Sequence, residues 1–129
     1  MKTIISMLMV LMSVQVYSQW GSTMSLDGEP GSNAWVDVTL TEDKVVLSGL
    51  DEACASLPAV FNIPLENGFS DGFDIEISKD EMGQTIIDCL CCDGMRVLII
   101  VLNDWGVEYF EINWCEAGNS GIGKYFPMG

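Results

Sequence analysis

The sequence predicts an all-β fold, an antiparallel β-sandwich of six to seven short strands in preference to a small barrel. Three observations carry this expectation. Residues 95–115, MRVLIIVLNDWGVEYFEINWC, are the densest apolar stretch beyond residue 18 and read as two strands about a tight turn. Several other stretches alternate apolar and polar side chains with the period of two of a half-buried strand. Beyond residue 18 no stretch sustains a 3.6-residue apolar period, so long helices are not expected.

In chain order, residues 1–18 read as an export signal: Lys2 at the start, an apolar run over 4–12, and Val16-Tyr17-Ser18 ahead of cleavage before Gln19. The run is too short to span a bilayer. Gln19, not Cys, stands directly after the expected cleavage point, so no bacterial-type lipid anchor is expected, and the protein is expected to be secreted or held at the cell surface. Residues 19–33, QWGSTMSLDGEPGSN, are rich in Gly, Ser and Pro and read as a leading loop segment.

Residues 34–117 are the expected sandwich domain. Residues 34–40 alternate as a strand, 41–44 turn, and 45–50 return. Asp51 can cap a short helical turn, and Pro58 and Pro64 bracket AVFNI as an edge strand. Residues 73–78 alternate Phe73, Ile75 and Ile77 against Asp74, Glu76 and Ser78. Asp80-Glu81-Met82-Gly83 turns the chain into a strand over 85–91 and repeats the residue logic of Asn103-Asp104-Trp105-Gly106. Residues 118–129 form a glycine-rich tail. Its Gly118-to-Lys124 stretch matches a phosphate-binding loop by letters only, since Tyr125 stands where Ser or Thr must hold magnesium.

The turn at 103–106 sets a register for the central hairpin in which Leu102 faces Val107 and Met95 faces Trp114. One face then carries Met95, Val97, Ile99 and Val101 against Trp114, Ile112, Phe110 and Glu108, and is expected to be the core. Glu108, placed on that face beside the turn, is the one acid whose burial would raise its pKa. The other face carries Leu98, Ile100, Leu102, Val107 and Tyr109, with Arg96 diagonal to Glu111. Left uncovered, those five apolar residues are the candidate binding face, an apolar patch with a polar rim.

The unit from Arg96 to Cys115, a strand, a polar turn ending in Gly and a strand closing on Cys, resembles the last hairpin of immunoglobulin-like modules in secreted bacterial surface proteins. The signal ending Tyr17-Ser18-Gln19 is similar to exported proteins of the Bacteroidetes type. The likeness spans about twenty residues and implies an immunoglobulin-like sandwich at the cell surface. Trp105-Gly106-Val107 departs from the Gly-Asn that usually follows the turn Asp, and the resemblance implies no site residues.

Charge and composition narrow the function. Without Lys2, four basic residues face nineteen acidic ones, a net charge of −15. That field repels nucleic acid and anionic membranes. The chain has no His, which removes Ser-His-Asp and Cys-His nucleophile systems, and no catalytic residue is assigned.

The five cysteines, Cys54, Cys89, Cys91, Cys92 and Cys115, are expected to stabilise an exported domain as disulfides. The hairpin register favours Cys92 with Cys115, leaving Cys54 for Cys89 or Cys91. The odd thiol allows a disulfide-linked dimer. Asp93 would raise a neighbouring thiol pKa, against redox catalysis by the Cys89-Leu90-Cys91-Cys92 run. Asp71, Asp74 and Glu76 are the candidate calcium ligands, with no other cofactor expected. The leading reading is an exported, non-catalytic module offering a sheet face or loops to a protein or glycan. The alternatives are a calcium-stabilised structural domain and a small secreted hydrolase or enzyme inhibitor.

Overall fold

The computed structural model describes residues 20–26, 28, 35–116 and 121–127, so residues 1–18, expected as an export signal, lie outside the described residues. The protein is all-β. Its strands are β1 (Trp20–Leu26), β2 (Trp35–Leu40), β3 (Lys44–Ser48), β4 (Val60–Pro64), β5 (Gly68–Ser70), β6 (Phe73–Lys79), β7 (Thr85–Cys91), β8 (Met95–Asn103), β9 (Gly106–Ile112) and β10 (Gly123–Pro127). One short helix, α1 (Leu50–Ala53), stands between β3 and β4. All ten strands form one antiparallel sheet in the order β4-β3-β2-β1-β10-β9-β8-β7-β6-β5. Consecutive strands are neighbours except β4 and β5, which form the two edges; β10 returns to β1, and the sheet curls until it is nearly barrel-shaped.

Ten strands in one curled sheet replace the six or seven of the expected sandwich. The additional strands come largely from both ends of the chain. Trp20–Leu26, expected as a leading loop, is β1, and Gly123–Pro127, expected as part of a tail, is β10. Neither has strong strand propensity. Pairing on both sides supplies what propensity does not: β1 lies between β2 and β10, and β10 between β1 and β9. Tyr125 anchors β10 by stacking on Phe110, with ring centroids 4.6 Å apart, and both rings are buried.

The concave face holds the core. Val36 and Val38 of β2, Val45 and Leu47 of β3, and Phe61 and Ile63 of β4 point inward, while their sequence neighbours are more exposed. Each such side chain contributes about 1.5–3 kcal/mol by leaving water. The expected helical turn near Asp51 is α1, but it starts after Gly49 in the left-handed region (φ 82), and no side chain caps it.

The central hairpin departs from its expected register. Asn103 pairs with Gly106 and Leu102 with Val107, as the turn requires, but the ladder then shifts and Val101 pairs with Tyr109. Glu108 is the extra residue of a β-bulge. Beyond it Ile100 faces Phe110 and Leu98 faces Ile112, so β8 presents the opposite face to the core. A second shift between Cys89 and Leu90 sets Arg96 opposite Leu90, away from Glu111, where Arg96 Nε lies 2.7 Å from Asp88 Oδ1.

The edges β4 and β5 face each other where the sheet nearly closes. No ladder joins them; side chains do. Asp71 Oδ2 accepts the Asn62 backbone N–H at 3.3 Å, and Ser70 Oγ donates to the Asn62 carbonyl at 2.6 Å. Pro64 brings no N–H to the same edge, so β4 is poorly able to recruit a further strand.

Candidate functional site

The antiparallel meander sorts the connections. The β2–β3, β4–β5, β6–β7 and β8–β9 turns gather at one end of the sheet; the other end takes the short β5–β6 and β7–β8 turns together with the longer connections. Each end holds a candidate site.

At the turn end, two adjacent hairpins share one device. Asp80 Oδ1 accepts the backbone N–H groups of Met82 at 2.9 Å and Gln84 at 2.8 Å, and Gly83 closes the turn at φ 84. Asn103 Oδ1 accepts the Trp105 N–H at 2.8 Å, with Gly106 at φ 138. In both, the opener's side chain ties down the backbone that would otherwise stay unpaired and turns the next large apolar residue outward. Met82 is 80% exposed and Trp105 is 86% exposed. The Gln84 side-chain amide donates to the Glu108 carboxylate and ties the two tips together. Glu81, Asp104 and Glu108 are exposed around them.

Four of the five residues expected to form a binding face are buried. Leu98, Ile100, Leu102 and Val107 belong to the core, because the bulge at Glu108 turns that side of β8 inward. Of the five, only Tyr109 faces outward; it is half-buried, with Phe126 at 5.5 Å between ring centroids and Lys124 Nζ 4.9 Å from its own. Glu108, expected on the core face, is exposed as the bulge residue. No feature of the sequence marks where a bulge falls, whereas the paired turn openers Asp80 and Asn103 were visible as a repeated pattern.

The expected calcium ligands are spread apart. Asp71, at φ 52, is bonded to Asn62 across the β4–β5 seam, while Asp74 and Glu76 project from the exposed face of β6. Among the described residues no three of His, Cys, Asp and Glu are grouped to hold a metal ion.

At the other end lie the cysteines. Cys54 and Cys115 form the disulfide, with Cα atoms 5.8 Å apart, tying the α1 connection to the segment after β9. The expected pairing of Cys92 with Cys115, and of Cys54 with Cys89 or Cys91, is not formed; Cys89, Cys91 and Cys92 are free thiols. The reason is topological, since the β3–β4 and β9–β10 connections meet at this end and a hairpin reading cannot see their approach. Ser56 Oγ sits 3.0 Å from Cys54 Sγ and 3.6 Å from Cys115 Sγ. Beside them opens a cleft of about 520 Å³ whose wall includes Ser56, Cys91, Cys92, Trp114 and Glu116. Burial, then the charge of Asp88, pushes the Cys89 thiol up to about 12. A hydrogen bond to Cys92, then burial, raises the Cys91 thiol.

No family model, curated protein or solved structure matches this chain. The geometry alone therefore carries the reading. No helix among the described residues is long and apolar enough to cross a membrane.

Proposed function

We propose that the protein is an exported, non-catalytic interaction module whose β6–β7 and β8–β9 tips dock onto a basic, partly apolar surface of a protein partner. The observation that carries this reading is the pair of large apolar side chains, Met82 and Trp105, held almost wholly in water on two linked tips. Solvating them is unfavourable for the free protein, and the tight Asx-type turns leave them little freedom to fold back. A rigid, exposed Trp is the kind of residue that anchors interfaces, worth on the order of 2 kcal/mol or more when seated in a pocket. The acidic residues around it, Glu81, Asp104 and Glu108, select for positive charge on the partner and speed encounter at low salt. A glycan would use the same Trp but gain little from the carboxylates.

The test is a backbone NMR titration of the whole mature protein with two probes, a cationic amphipathic peptide and a neutral oligosaccharide. The peptide is expected to shift residues 80–84 and 103–108, to weaken with salt, and to lose about tenfold in affinity in Trp105→Ala with the fold intact. Shifts at those residues with the oligosaccharide alone, or peptide shifts confined to other surfaces, would overturn the proposal.

A further inference from the structure

The five cysteines divide into three chemical classes. Cys54 and Cys115 are bridged and buried. Cys89 is fully buried beneath the sheet with its thiol pushed far above neutrality, which makes it inert toward solvent reagents. Cys91 and Cys92 are left: consecutive in sequence, half-buried and exposed respectively, and both on the wall of the end cleft. The odd count that allows an intermolecular bridge therefore resolves inside the molecule, as one disulfide, one shielded thiol and one adjacent pair.

We propose that Cys91 and Cys92 form a reversible thiol–disulfide exchange site whose substrates are neutral or cationic small-molecule disulfides. The more exposed sulfur acts first. The Cys92 thiol loses its proton and attacks one sulfur of the substrate disulfide; the substrate S–S bond breaks, and a mixed disulfide forms at Cys92. The departing thiolate takes up a proton. The Cys91 sulfur, tethered next to it by one peptide bond, then attacks Cys92 Sγ with loss of its own proton and expels the second thiol. The balance is one small disulfide and two protein thiols giving two small thiols and one protein disulfide, so the substrate itself is the oxidant.

Reversibility follows from covalent geometry. Consecutive Cα atoms across a trans peptide are about 3.8 Å apart. An ordinary disulfide holds its Cα atoms about 4.4–6.8 Å apart, so the ring closed through the Cys91–Cys92 peptide bond is strained and easily reopened by a small thiol. The local chain can absorb the change. Cys92 opens the short turn Cys92–Gly94, where Asp93 (φ 60) and Gly94 (φ 76) already adopt left-handed conformations, all three residues are exposed, and nothing packs within 4 Å of the Cβ position at Gly94.

The acidic surroundings that argue against a fast redox catalyst leave this a slow, stoichiometric exchange, and they set the substrate class. Asp71 and Glu116 line the cleft and Asp93 adjoins Cys92, so an anionic disulfide approaches against their field and a cationic one along it.

The experiment treats the mature protein with cystamine or with oxidised glutathione and follows intact mass, followed by peptide mapping after alkylation of the remaining thiols. The wild type is expected to lose two hydrogens, mapped to Cys91 and Cys92, to stay monomeric, and to regain them with a small thiol. Cystamine is expected to act at least about tenfold faster than oxidised glutathione at low salt, with the ratio falling as salt rises. Cys91→Ser is expected to stop at the mixed disulfide on Cys92. A stable adduct or a disulfide-linked dimer in the wild type, a bridge from either thiol to Cys54 or Cys115, unreacted thiols, or equal rates for the two reagents would overturn the proposal. Wild-type mass carries the test even if a variant fails to fold.

Discussion

Asp88 and Arg96 show how single residues read differently in sequence and in space. Asp88 lies on the outer side of β7 with its side chain 15% exposed, and the Arg96 guanidinium, 53% exposed, covers it at 2.7 Å. A fully exposed pair of this kind contributes about 0–1 kcal/mol. Here the carboxylate is mostly out of water, so removing its partner leaves a poorly solvated charge, which costs more than the pair itself contributes. Arg96→Ala is expected to lower stability by about 1–2 kcal/mol. Urea denaturation of the variant measures this, and a loss below about 0.5 kcal/mol would mean that water serves Asp88 equally well. The sequence paired Arg96 with Glu111 because it assumed unbroken ladders. The openers Asp80 and Asn103 were legible because their hydrogen bonds are local, two to four residues along the chain.

At the scale of elements, the hairpin β8–β9 turns on one inserted residue. Val107 and Phe110 both face the core although three positions apart, and Glu108 is the residue that makes this so. Deleting Glu108 regularises the ladder: Val107 stays opposite Leu102, Tyr109 opposite Val101, and Phe110 opposite Ile100. The deletion variant is therefore expected to fold with its core intact and to lose about 1 kcal/mol, through the lost Gln84 contact and local twist. Thermal unfolding with near-ultraviolet circular dichroism checks this. A variant without a native aromatic signal would show that the bend at the bulge is needed to curl the sheet. Of the expected core face, Phe110, Ile112, Val97 and Val101 are buried, whereas Met95 is 41% and Trp114 36% exposed. The β8 alternation could not be phased from sequence, because residues 97–102 are apolar on both sides.

At the scale of the molecule, the long connections at the thiol-bearing end are what the disulfide and one glycine hold together. Cys54 and Cys115 are 61 residues apart, and closing so long a loop lowers the entropy of the unfolded chain by an amount worth about 4 kcal/mol. A Cβ at Gly121 would run into the Ala53 carbonyl, so the β9–β10 connection approaches α1 as closely as backbone allows. The double variant Cys54→Ala/Cys115→Ala is expected to lose up to about 4 kcal/mol while keeping its β-sheet circular dichroism. A loss under about 1 kcal/mol would mean that the curled sheet alone orders this end. The opposite end is held by local turns and needs no such link.

The sequence by itself determined the all-β class, nearly every interior strand and turn, and the strong acidity, because alternation, turn chemistry and charge are properties of neighbouring residues. Tertiary structure alone decided the number of strands, the face that β8 turns inward, which two cysteines are bridged, and the link from Gln84 to Glu108 between the two tips. Each depends on which distant segments pair. Trp20–Leu26 and Gly123–Pro127 become strands only because the curling sheet brings the two ends of the chain side by side, and that approach leaves no mark on either segment alone.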